Sequence, residues 1–151
     1  MSDFEIVRST HIDADPGRVH DLVSDFRQWP DWSPWEDLDP AMQREYDGPA
    51  DGVGSTYSWS GNRKAGAGSM QITESSPERV GIRLTFLKPW KATNQVTFDL
   101  VPADAGTDVS WRMNGEQTGM AAVFGRLFPM DRLVGKDFEK GLARLKRVAE
   151  S

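Results

Sequence analysis

Glu36 follows Trp35 directly, and Asp37 and Asp39 come just after it, so a carboxylate stands beside an apolar wall. In that setting the charged form is disfavoured, and the group can serve as a general acid or base. Glu36 is therefore the one catalytic candidate, although a loop of solvated acids accounts for the same residues. His11 and His20 are the only histidines, and His20, inside a helical stretch beside Asp21, reads as solvated. With no cysteine, disulfides, thiolate catalysis and cysteine-bound zinc or iron–sulfur clusters are excluded. Two histidines make no histidine-rich metal site, which leaves only a carboxylate site for magnesium or calcium open; neither a metal nor a cofactor is expected. No serine stands in the glycine pattern of a nucleophile elbow. Gly61, Gly66 and Gly68 lie between strands, not before a helix, which fails the context test for a phosphate-cradling loop. Arg8 falls on a predicted inner face and, if buried, requires a carboxylate such as Glu36, Asp131 or that of a ligand. Asn62 and Arg63 stand at a hairpin tip where they could border an entrance, and turn chemistry accounts for Asn62.

The aromatic residues carry a stronger signal. The chain has six tryptophans, three of which (Trp29, Trp32 and Trp35) fall within seven residues. Trp35, Tyr57, Trp59, Phe86, Trp90 and Trp111, with Met70 and Met113, share an apolar alternating face, and Phe124 lies on a later helical stripe. Such a set is the lining of an apolar small-molecule pocket with adaptable methionine walls. Packing of an ordinary core competes with that reading at each single position.

The elements that must position these residues follow from periodicity. Phe4, Ile6, Thr10 and Ile12 recur at period two and predict a strand. Asp15-Pro16 supplies a helix start in which the Asp15 side chain accepts from free amides. Val19, Leu22, Val23 and Phe26 then predict a short amphipathic helix to about Asp25, with Trp29-Pro30 ending the region. Residues 31–40 read as a bulky loop or a broken second helix. Short strands follow: 42–47, one carrying Tyr57 and Trp59, one carrying Met70 and Ile72, and one alternating Val80, Ile82, Leu84 and Phe86. Gly61-Asn62 and Ser76-Pro77 mark turns between them. After an interruption at Lys88-Pro89-Trp90 come Val96, Phe98 and Leu100, a turn at Ala105-Gly106, and Val109, Trp111 and Met113. This alternation predicts an antiparallel sheet with one apolar face. Beyond Gly115 the period becomes helical, through Met120, Val123, Phe124, Leu127 and Phe128. Pro129 kinks or restarts the helix. Leu133, Val134, Phe138, Leu142, Leu145 and Val148 continue it to the end, with basic residues placed late where they suit the helix dipole.

A chain of 151 residues without linker or repeat is expected to form one domain, 1–151. A formal charge of -5 gives no reason to expect nucleic acid as a partner. No apolar run approaches the roughly 20 residues that span a bilayer. The opening residues are acidic and lack a signal-peptide layout. A cytoplasmic location without stable membrane insertion is therefore the expectation.

Specific positions then carry a family resemblance. The opening strand leads into Asp13-Ala14-Asp15-Pro16 and Val19. Asp25-Phe26 precedes Trp29 and Trp32-Ser33-Pro34-Trp35, and Gly52-Val53-Gly54 precedes Tyr57 and Trp59. Gly106-Thr107 and Phe138-Glu139-Lys140-Gly141-Leu142 follow in order and spacing. The chain resembles the START-like (SRPBCC, helix-grip) superfamily, in particular its bacterial polyketide cyclase/dehydrase and lipid-transport branch. The resemblance implies an α+β helix-grip fold: a curved antiparallel sheet of about seven strands around a long C-terminal helix, with two short helices after the first strand. It also implies a cavity between sheet and helix for a lipid, polyketide or other hydrophobic molecule, and in some members cyclisation, dehydration or hydrolysis there. Catalytic residues are not shared across the superfamily, so none is carried over. Two expectations result. One is a binder of a small hydrophobic ligand; the other is a cyclase/dehydrase-type enzyme using Glu36 with Arg8 or Tyr57. A partner-binding module would instead require an apolar patch on the outer sheet face.

Overall fold

The computed structural model describes residues 2–34, 41–62, 66–88, 92–117 and 130–151. Strand β1 (Ser2–Ile12) turns its alternating residues Ile6, Arg8, Thr10 and Ile12 inward. Helix α1 (Pro16–Val23) follows, burying Val19, Leu22 and Val23. Its start differs from expectation: the Asp15 side chain caps nothing, and the Asp15 carbonyl instead accepts from Arg18 N at 3.0 Å and Val19 N at 3.2 Å. The helix also stops before Asp25, because Asp25 begins a separate element. Its carboxylate accepts from Arg27 N at 2.9 Å and caps a 3-10 helix over Phe26–Asp31. That helix runs through Pro30 and so does not end at Trp29-Pro30. Trp29 O accepts from both Trp32 N and Ser33 N, which closes the turn beyond the proline.

Six further strands complete the sheet: β2 (Gln43–Asp47), β3 (Thr56–Ser60), β4 (Ala67–Ser76), β5 (Arg79–Lys88), β6 (Ala92–Ala103) and β7 (Gly106–Gln117). Their spatial order is β1-β7-β6-β5-β4-β3-β2, and every pairing is antiparallel. Register shifts occur between Ala67 and Gly68 and between Ile72 and Glu74. An extra residue on one strand bends it and increases its twist, which curves the sheet. One of the two shifts falls at Gly68.

Helix α2 (Met130–Glu150) lies chiefly along β1 and buries Phe138, Leu142 and Leu145. Two of its glycines are there because something approaches the backbone closely. A Cβ on Gly141 would stand 2.8 Å from Trp111 Cζ3 and 2.9 Å from Pro34 Cδ. One on Gly135 would collide with the Arg8 guanidinium. The architecture is the helix-grip fold, with the core between the inner sheet face, α1, the 3-10 helix and α2. The stripe from Met120 to Phe128 and the kink at Pro129 lie outside the described residues.

Candidate functional site

Cross-strand register sorts the inner face into rows. One row runs Tyr46, Tyr57, Met70, Leu84, Asn94 and Gly115 from β2 to β7. Beside it, Trp59, Gly68 and Phe86 align across β3, β4 and β5. On the other side lie Ile72, Ile82, Val96, Met113 and Ile6, and beyond them Val80, Phe98, Trp111 and Arg8.

The two ends of this face are packed differently. At one end Trp111 stacks on Phe138 (4.1 Å between centroids, 6° between planes) and on Phe98 (5.0 Å, 28°). Trp29 and Trp32 meet both Phe98 and Trp111 edge-on. Both indoles are anchored by their polar edge: Trp29 Nε1 donates to Val23 O at 3.1 Å and Trp32 Nε1 to Leu22 O at 3.0 Å. The Trp29–Trp32 pair of the tryptophan cluster is therefore core. At the other end, Tyr57 stacks with Trp59 (6.1 Å, 19°), Trp59 meets Phe86 edge-on (5.9 Å), and Tyr46 packs on Tyr57 at 5.3 Å. Arg27 places its guanidinium 4.8 Å from the Tyr46 ring centre. Tyr57 and Met70 are buried there, while Tyr46, Trp59 and Phe86 are only partly buried. Gly68 permits this wall, because a Cβ there would stand 2.7 Å from Trp59 Cη2.

Of the candidate lining residues, the fold brings Tyr57, Trp59, Met70 and Phe86 into one patch and sets Met113 one row away. Trp111 sits inside the stacked end. Trp35, Glu36, Asp37, Asp39, Arg63, Trp90 and Phe124 lie outside the described residues. Sequence reasoning missed Tyr46, whose alternation with Arg44 was the available signal, and Asn94, which lies two residues before Val96 on the same alternation.

The polar groups fall into separate clusters. Arg8 Nε donates to Glu139 Oε2 at 2.9 Å, so α2 supplies a carboxylate for this inner-face cation. His20 is not a solvated residue: it is half-buried, with Nε2 3.1 Å from Ser75 Oγ and Nδ1 3.4 Å from Ser24 Oγ. His11 lies between Asp108 (2.7 Å) and Asp13 (3.0 Å). The hydrogen bond that His11 donates to Asp108 chiefly raises its pKa, against a smaller desolvation effect and with help from Asp13. Among the described residues, no group of three or more histidine or acidic side chains is placed to hold a metal ion. An open groove of about 700 Å³ lies elsewhere, with Glu74, Glu78, Arg79 and Asp99 on its walls beside Leu100, Val101 and Pro102. Its charged walls, with Arg79 bonded to Asp99 at 2.8 Å, do not suit an apolar molecule. The large apolar side chains exposed among the described residues, Val53, Leu87 and Val101, sit on a loop and on two different strands, and form no shared patch.

A seven-stranded antiparallel sheet gripping a C-terminal helix, with an aromatic wall on its inner face, defines a helix-grip protein. The family model described as polyketide cyclase / dehydrase and lipid transport matches residues 3–150, and the chain belongs to that family. Solved structures share the fold at low identity. The KanY protein aligns over 100% of both chains at 15% identity and a TM-score of 0.73. Protein CV1439 from Chromobacterium violaceum aligns over 97% of both chains, at 15% identity and a TM-score of 0.68. BexL, a di-domain ARO/CYC from the BE-7585A biosynthetic pathway, aligns over 99% of this chain and 50% of its own, at 18% identity and a TM-score of 0.69. No curated protein matches the sequence. No helix among the described residues is long and apolar enough to cross a membrane.

Proposed function

We propose that this protein binds a small hydrophobic molecule, a lipid, polyketide or aromatic metabolite, against the inner-face wall of Tyr46, Tyr57, Trp59 and Phe86. The observation that carries the reading is the incomplete burial of Trp59 and Phe86 at one end of the inner face, whose other end is closed by stacked rings. Family membership supports the same ligand class. Large aromatic faces supply apolar area at low conformational cost, which suits a flat or elongated carbon skeleton. Native mass spectrometry of freshly purified protein, with extraction of the adduct, tests this. A stoichiometric hydrophobic adduct is expected. Trp59→Ala should release it, or weaken rebinding about tenfold, as loss of roughly 1.4 kcal/mol of buried contact implies. Equal retention by wild type and Trp59→Ala would remove the wall from the site.

A second reading, a cyclase/dehydrase-type enzyme acting on the same ligand class, is favoured by the family description and by the likeness to BexL. It assigns acid or base chemistry to Glu36, and it predicts that Glu36→Gln abolishes turnover of a polyketide-like substrate while leaving its binding intact.

A further inference from the structure

Asn94 is out of keeping with its surroundings. It is 7% exposed and lies on the inner face of β6, on the same alternation as Val96, Phe98 and Leu100. Its cross-strand neighbours are Leu84 on β5 and Gly115 on β7. The diagonal positions on this face hold Ile82, Phe86, Met113 and Gln117, so none of these positions carries a charge. A carboxamide offers two donors and two acceptor lone pairs. Among the described residues the Asn94 side chain engages none of them, and its polar atoms still touch solvent-sized space, since neither is among the fully buried atoms. Thr107, fully buried, donates to Ala14 O at 2.8 Å. Asparagine is also poorly suited to a strand interior. Leucine has the same number and branching of side-chain heavy atoms and no polar atom.

We infer that Asn94 recognises a neutral hydrogen-bonding oxygen, a ketone or hydroxyl, on the otherwise hydrophobic ligand. The inference rests on the binding reading above and narrows it. Asn94 shares a cross-strand row with Tyr46, Tyr57, Met70 and Leu84, so a skeleton lying along that row from the aromatic wall ends at the carboxamide. The amide N–H donates to a ketone oxygen, and the amide carbonyl accepts from a hydroxyl. A carboxylate gains little there, because the neighbouring side chains supply no cation to offset its desolvation. The ligand class is thus an apolar ring system or chain carrying a keto or hydroxyl group, rather than a bare hydrocarbon or a fatty anion.

The test compares two probes of one shape, 2-acetylnaphthalene and 2-isopropenylnaphthalene, which differ in a carbonyl oxygen against a methylene. Equilibrium dialysis gives the affinity of each for wild type and for Asn94→Leu, and the ratio between proteins cancels the difference in water solubility. The preference for the ketone should fall about three- to tenfold in Asn94→Leu, the range of one neutral hydrogen bond. Binding of the isopropenyl probe should be kept or improved, and the melting temperature should stay level or rise. An unchanged ratio, with both probes bound by both proteins, overturns the role of Asn94 and leaves hydrophobic binding standing. Failure of wild type to bind either probe overturns the binding reading and this inference with it. Should Asn94→Leu fail to fold, Asn94→Ala carries the same comparison, and an unchanged ratio there overturns the inference equally.

Discussion

Trp59 and Trp111 carry the same side chain into opposite situations. Trp111 is 1% exposed, stacked on Phe98 and Phe138, and approached by α2 so closely that position 141 has no room for a Cβ. Trp59 is partly buried, with Tyr57 stacked beside it and Phe86 edge-on. Removing a large ring from a filled interior loses transfer free energy and leaves a cavity, together about 3–5 kcal/mol. Trp111→Ala is therefore expected to lower the unfolding free energy by about that amount in urea titrations, while Trp59→Ala, exposing a half-buried ring, costs less than half as much. Equal losses at the two positions would mean that the aromatic wall is packed as tightly as the stacked end. Asn94 makes the complementary point. Its amide has no protein partner among the described residues on a largely apolar face, and a polar group of that kind is expected where a surface is shaped for a ligand rather than for its own packing.

At the scale of the element, the β6–β7 hairpin closes through Asp104 and Ala105, with φ of 47° and 62°. Both values belong to the two-residue turn whose twist matches the strands and whose favoured sequence ends in glycine. A left-handed alanine costs about 1 kcal/mol or more, part of which glycine returns as lost chain entropy. Ala105→Gly should accordingly raise stability by about 0.5 kcal/mol, seen as a higher urea midpoint at unchanged slope; no change would mean the turn conformation differs. This hairpin also measures what was legible in advance. A turn near Ala105-Gly106 could be read, but register pairs Ala103 with Gly106, so the turning residues lie one position earlier. Period-two alternation forces Tyr57 with Trp59, and Met70 with Ile72, onto one face, so most of the described aromatic wall could be read directly. The 3-10 helix, the second of the two short helices that the resemblance implies, could not be read from period, because Phe26, Trp29 and Trp32 recur every three residues and continue the spacing of α1. Asn94 was hidden for a related reason: hydropathy opens a strand at its first apolar residue, and the unpaired amide becomes visible only with the neighbouring strands in place.

At the scale of the molecule, the end of the fold nearest the stacked rings is tied shut by a polar latch. Lys146 Nζ donates to His11 O at 2.9 Å and pairs with Glu150 at 2.6 Å. Glu150 in turn accepts from Asp13 N at 2.8 Å, and His11 bridges Asp108 and Asp13, so β1, β7 and the C-terminal turn of α2 are joined. The hydrogen bond from Lys146, aided by that from the Asp13 amide, lowers the pKa of Glu150, whereas that of His11 is raised, chiefly by Asp108. A raised imidazole stabilises the fold fully below its unfolded value of about 6.5 and loses that contribution as pH climbs through the folded value. A lowered carboxyl stabilises above its unfolded value near 4.3 and loses its contribution as pH falls through the folded one. Stability should thus be greatest at about pH 5–6 and decline on both sides. His11→Asn should flatten the alkaline decline, and Glu150→Gln the acid one, in melting temperatures recorded across pH. Both groups are exposed, so raised salt should shrink the effect. The inner-face wall of Tyr46, Tyr57, Trp59 and Phe86 contains no carboxylate or imidazole. Affinity for a neutral hydrophobic probe should therefore stay flat while stability moves, and affinity that tracked the latch would show that the closed end and the aromatic end open together.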